Sequence, residues 1–102
     1  VDEATKSALD EALDDEYKAR ATYRAVLDRF GEVRPFSNIV EAEGRHIEAL
    51  LAVYRRHDVE PPEDGWAGNV DAPESVEAAC RQGVEAELAN DAMYARLLDV
   101  VR

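Results

Sequence analysis

The sequence predicts an all-α fold built from three long helices. Apolar residues recur at spacings of three and four along three long segments. All four prolines fall between those segments or in their first turns. No segment alternates apolar and polar residues as a half-buried strand does.

The first helix is expected from about Glu3 to Phe30. Its stripe is Leu9, Ala12, Leu13, Ala19, Tyr23, Val26, Leu27 and Phe30. Gly31 follows as a residue that tolerates the left-handed conformation that ends helices. Arg34 precedes a proline and is biased away from helix, whereas Pro35 suits a first helical turn. The second helix is therefore expected from about 35 to 57, with a stripe of Phe36, Ile39, Val40, Ile47, Leu50, Leu51 and Tyr54. So short a connection predicts an antiparallel hairpin.

Periodicity stops between 58 and 72, a stretch holding Pro61, Pro62, Gly65, Gly68 and the only tryptophan, Trp66. It reads as an extended connection that Trp66 anchors to the helices. The third helix is expected from about 73 to 101, with Asp71 as its N-cap and Glu74 and Glu77 near the first turn. Its stripe is Val76, Cys80, Val84, Leu88, Tyr94, Leu97, Leu98 and Val101. The 102 residues read as one domain.

Composition narrows function. The chain carries 23 Asp and Glu against 12 Lys and Arg, a formal charge of −11. Nucleic-acid binding needs a basic face to neutralise phosphates, and anionic lipid selects the same sign. Neither is expected. With 46% apolar residues the chain can bury a core, unlike an acidic disordered tail. No run of about 18 apolar residues exists to cross a membrane. No signal-peptide pattern opens the sequence, and one cysteine fits a reducing compartment. The expected location is cytoplasmic.

Some carboxylates fall where solvent does not explain them. At about 100° per residue, Glu16 lies inside the apolar arc of the first helix. Glu43 lies inside that of the second, seven residues from both Phe36 and Leu50, with His46 at the edge of the arc. Glu87 lies beside Val84 and Tyr94 in the third, with Asp91 one turn on; Glu85 is the alternative register. An unpaired buried carboxylate costs several kcal/mol. Three would cancel most of a typical stability of about 5–15 kcal/mol. They must be protonated, ion-paired or bound to metal. Arg20, four residues after Glu16, can pair with one of them but not with three. Carboxylates with one imidazole are ligands for iron, manganese or zinc. Glu43-x-x-His46 puts both groups one turn apart on one helix face, as in carboxylate-bridged two-metal sites of helical bundles.

The segment from Phe36 to Leu50, FSNIVEAEGRHIEAL, resembles the second helix of rubrerythrin-like members of the ferritin-like superfamily. Asp15-Glu16-Tyr17-Lys18-Ala19 resembles their first metal-binding helix, and the segment from Gly83 to Asn90 their third. The resemblance covers the whole chain as the first three helices of a ferritin-like domain. It implies a four-helix bundle with a non-haem di-iron centre that oxidises Fe(II) or reduces oxygen or peroxide. By position, Glu16 would be the terminal ligand of the first helix. Glu43 would bridge both metals, His46 would bind one, and Glu87 would be the ligand of the third helix. The family also has a fourth helix with its own ligands, and this sequence stops at Arg102. The expectation is a missing fourth helix, or a homodimer in which each copy covers the other's groove. A rubredoxin-type CxxC electron donor is absent from the sequence. The rival readings are a helical interaction module whose apolar groove takes a partner helix, and a metal-sequestering protein without turnover.

The remaining residues have plainer expectations. Tyr17, Tyr23, Tyr54 and Tyr94 are core or boundary residues, and Tyr23 and Tyr94 share stripes with the proposed ligands. Cys80 is expected as a small buried hydrophobe, and His57 as a helix C-terminal residue and not a ligand. Glu41 is expected on the solvated side of its helix. Gly44 and Gly83 sit inside helices at a cost in propensity, which suggests close approach or room near the site.

Overall fold

A computed structural model describes residues 2–32, 34 and 36–101, with side chains outside 89–91 and 97–101. Three helices follow in order: α1 Glu3–Phe30, α2 Phe36–Arg56 and α3 Val76–Val101. No strand occurs among the described residues, and no helix there is long and apolar enough to cross a membrane. At 1.5 Å per residue the 28 residues of α1 span the long dimension of the molecule, 42 Å.

Each helix end has a local cause. The Asp2 carboxylate accepts from the Thr5 amide at 2.7 Å and caps α1. Gly31, at φ 85°, closes it by donating its amide to the Leu27 carbonyl at 2.8 Å. At the end of α2 the Val59 amide reaches the Tyr54 carbonyl at 3.0 Å and the Asp58 amide the Arg55 carbonyl at 3.2 Å. That is a Schellman ending, with Asp58 at φ 54° where glycine is usual. The third helix begins at Val76, later than expected, and its cap is Ser75 and not Asp71. The Ser75 hydroxyl accepts from the Ala78 amide at 3.0 Å, while Pro73 is buried in the extended chain before it.

Helix α1 is the centre of the architecture. It packs against both α2 and α3, which do not pack against each other among the described residues. Asp10, early in α1, meets Tyr54, late in α2, and Tyr23 meets Phe36 with ring centroids 5.7 Å apart. So α2 runs antiparallel to α1. Helix α3 does the same: Ala79 packs with Tyr23 and Val26, and Arg96 pairs with Glu11 at 2.9 Å. Both α2 and α3 therefore start at one end, and residues 57–75 run back along the bundle. This return is fastened to α1. The Trp66 indole N–H donates to Asp14 at 2.9 Å, the Lys18 ammonium stands 5.2 Å over the Trp66 ring, and Arg20 pairs with Asp64 at 3.2 Å.

The core has two parts. Leu9, Leu13, Tyr17, Ile47, Leu50, Tyr54 and Met93 form one, and Tyr23, Val26, Phe36 and Ala79 the other. In α2, Glu43 falls between Phe36 of the second part and Ile47 of the first. The stripe expected for α3 is only partly covered. Cys80 is exposed and not buried, and Val84 and Leu88 are 62% and 67% exposed. The reason is that, among the described residues, α3 packs on α1 alone, which leaves the 80–84–88 row bare.

Candidate metal centre

Glu16 on α1 and Glu43 on α2 are buried, at 0% and 4% exposure, and His46 is exposed at the edge beside them. Each of the three offers one ligand atom, and those atoms lie within 4.8 Å of one another. His46 Nδ1 is 3.6 Å from Glu16 Oε2. The local reason is periodicity: residues three apart share a helix face, so 43 and 46 both turn toward 16 on the antiparallel neighbour.

Helix α3 supplies an orienting contact. The Tyr94 hydroxyl donates to Glu16 Oε1 at 3.1 Å. Burial first, and then the Glu16 charge, push the Tyr94 phenol well above its ordinary range, so it stays protonated and remains a donor. Glu43 Oε2 is buried with no hydrogen-bond partner among the described residues. A carboxylate oxygen so placed loses its hydration without replacement. Two carboxylates and an imidazole form a donor set that suits iron, manganese or zinc, and a cation there would serve the orphaned oxygen. On both grounds the residues fit a metal.

The other expected site residues lie elsewhere. Glu87 is exposed on α3 and outside the group of three, and so is Glu85. Both instead line a cleft of about 330 Å³ between α1 and α3 that extends to Glu43. Among the described residues α3 packs on α1 and not on α2, so its exposed glutamates share the cleft with Glu43 without joining the trio. Arg20 serves Asp64 of the connection and lies over the Tyr17 ring, with its guanidinium carbon 5.4 Å from the centroid. Tyr23 is buried against Phe36. Burial and then the charges of Glu87 and Glu16 raise its phenol. The side chain of Asp91 lies outside the described residues. Gly44 has open space where a Cβ would stand, whereas a Cβ on Gly83 would meet the Tyr23 hydroxyl at 3.4 Å.

Comparison with protein-family models, curated proteins and solved structures gives no match. The case for a function therefore stands on the site itself. Sequence reasoning missed Asp64 as the partner of Arg20. Its signal was the Asp64-Gly65 pair: Asp64 Oδ1 accepts from the amides of Trp66 at 2.9 Å and Ala67 at 3.2 Å, a side-chain-closed turn that leaves Oδ2 for arginine.

Proposed function

We propose that this chain is a ferritin-like carboxylate protein that holds a redox-active divalent metal, iron foremost, on Glu16, Glu43 and His46. Its activity would be oxidation of Fe(II) or reduction of oxygen or peroxide. The observation that carries the reading is the convergence of two buried carboxylates and an imidazole from two helices, with Glu43 Oε2 lacking a hydrogen-bond partner among the described residues. Two antiparallel neighbours of α1 joined by a return along the bundle also suit ferritin-like topology. Manganese and zinc fit the same donors.

Iron bound there supplies one-electron exchange with an oxidant. The protein's part is positional. Tyr94 fixes the rotamer of Glu16, and its neutral hydroxyl keeps donating while the carboxylate is charged. The exposed edge of His46 leaves the group open to solvent-borne reactants. A second ion, as in two-metal centres, would draw further carboxylates from α3, from a fourth helix or from a second copy.

Metal analysis of the purified protein tests the reading, together with thermal unfolding under anaerobic Fe(II) or Mn(II). Bound metal and a raised melting temperature are expected, since a ligand at 100 times its Kd adds about 2.7 kcal/mol. Glu43→Gln and His46→Ala should remove both effects. No bound metal and no shift would end the proposal. Steady-state oxygen consumption then separates turnover from sequestration.

A second reading, a helical interaction module, draws on the bare Val84 and Leu88. It would be favoured if Glu43→Gln and His46→Ala abolished self-assembly while metal made no difference.

A further inference from the structure

The cleft between α1 and α3 lies beside the trio and shares Glu43 with it. Exposed Glu85 and Glu87 stand on its α3 side and Asp15 on its α1 side. Tyr23 and Glu43, both buried, line it as well. Among the described residues that line it, there are four carboxylates and one cation, Lys18, whose ammonium stands over the Trp66 ring. The acidic lining alone would be an ordinary solvated surface. What distinguishes it is Glu43, 4% exposed, whose Oε2 lacks a hydrogen-bond partner among the described residues. The cleft therefore joins solvent-exposed carboxylates to a buried one that is still to be satisfied.

We propose that divalent cations reach the metal centre through this cleft, received at its rim by Glu85 and Glu87 and passed inward to Glu43. The inference rests on the metal reading above and adds a delivery route to it. A cleft lined by one sign of charge with low-dielectric walls focuses the field and raises the local concentration of the opposite ion. Rim carboxylates that remain hydrated bind an ion weakly enough to release it. The buried carboxylate beyond gains more from the ion, because burial has stripped its water. Tyr23, buried, lines the cleft together with Glu87 and Glu43. A Cβ at Gly83 would already touch the Tyr23 hydroxyl in ordinary van der Waals contact, at 3.4 Å, so a bulky side chain there would fill the cleft.

The test is stopped-flow association of Mn(II) with the intact protein, paired with equilibrium titration. The double variant Glu85→Gln/Glu87→Gln changes only exposed side chains, and Gly83→Phe obstructs the cleft without altering charge. The association rate should fall roughly tenfold in each. Equilibrium affinity should stay within about twofold, and the salt dependence of the rate should flatten in the double variant only. Unchanged rates in both would overturn the route and place entry at the exposed edge of His46. Affinity lost in step with rate would also overturn it, by making Glu85 and Glu87 ligands. If the wild-type protein binds no Mn(II) or Fe(II) at all, the metal reading itself falls, and the route with it.

Discussion

The Tyr54 hydroxyl donates a 2.6 Å hydrogen bond to Asp10 and ties the last turn of α2 to the first part of α1. Asp10 also accepts from Lys6 at 2.7 Å. Burial first, and then Asp10, push the Tyr54 phenol far above its ordinary range. For Asp10, burial opposes ionisation, but the bonds from Lys6 and Tyr54 outweigh it and hold the carboxyl below its usual value. The signs follow. A raised phenol contributes fully below about pH 10 and loses its contribution as pH climbs past that value. A lowered carboxyl contributes above about pH 4 and loses its contribution as pH falls. Tyr54→Phe should cost about 1.5–3 kcal/mol at neutral pH, the range for a hydrogen bond to a charged group. Urea unfolding from pH 4 to 11 should show that gap narrowing above pH 10, by up to about 1.4 kcal/mol per pH unit. A gap constant to pH 11 would mean the phenol carries no special burden.

Glu43 should be a stability liability in the metal-free protein. Its Oε2 is buried and lacks a hydrogen-bond partner among the described residues. Replacing such a group by an apolar one of similar size removes a desolvation penalty of about 1–3 kcal/mol. Glu43→Leu should therefore unfold at higher urea than wild type after chelator treatment. At saturating Mn(II) the order should reverse, because only the wild type gains from the ion. A chelated variant weaker than wild type would mean that Glu43 holds the fold together.

These two sites differ in how visible they were from sequence. The burial of Glu16 and Glu43 was legible because α1 and α2 pack against each other, so the centre of an apolar stripe is the inside, and His46, at the edge of its arc, stays exposed beside them. The same reasoning misplaced Glu87 and Cys80. A stripe records which face of a helix is apolar, not whether a neighbour covers it, and among the described residues α3 packs on α1 alone. Arg20 was misassigned because its partner sits on the connection, whose course has no periodicity to read. Asp71 was the expected cap of α3, but the chain stays extended through buried Pro73 and the helix is capped later, by Ser75.

Asp58 occupies the left-handed position of the Schellman ending at φ 54°. A side chain there is strained, and its negative charge faces the negative end of the helix dipole. Asp58→Gly should therefore stabilise by about 0.5–1 kcal/mol despite the added freedom of the unfolded chain. Chemical denaturation reads this directly, and a loss of stability would mean that the carboxylate makes a compensating contact.

Trp66 fastens the return connection to α1 through its N–H to Asp14 and its ring under Lys18. It is the only tryptophan, so its emission reports this docking alone. Trp66→Phe keeps much of the ring contact but drops the donor, and should cost about 1 kcal/mol. Trp66→Ala should cost more, about 2 kcal/mol, below the usual 3–5 for a fully buried aromatic because Trp66 is half-buried. Undocking would also release Asp64 from Arg20, since the turn holding Asp64 includes the Trp66 amide. Amide exchange should then rise across residues 59–70 in the alanine variant while α1 and α2 stay protected. Equal exchange in variant and wild type would show that the Arg20–Asp64 pair holds the connection without Trp66.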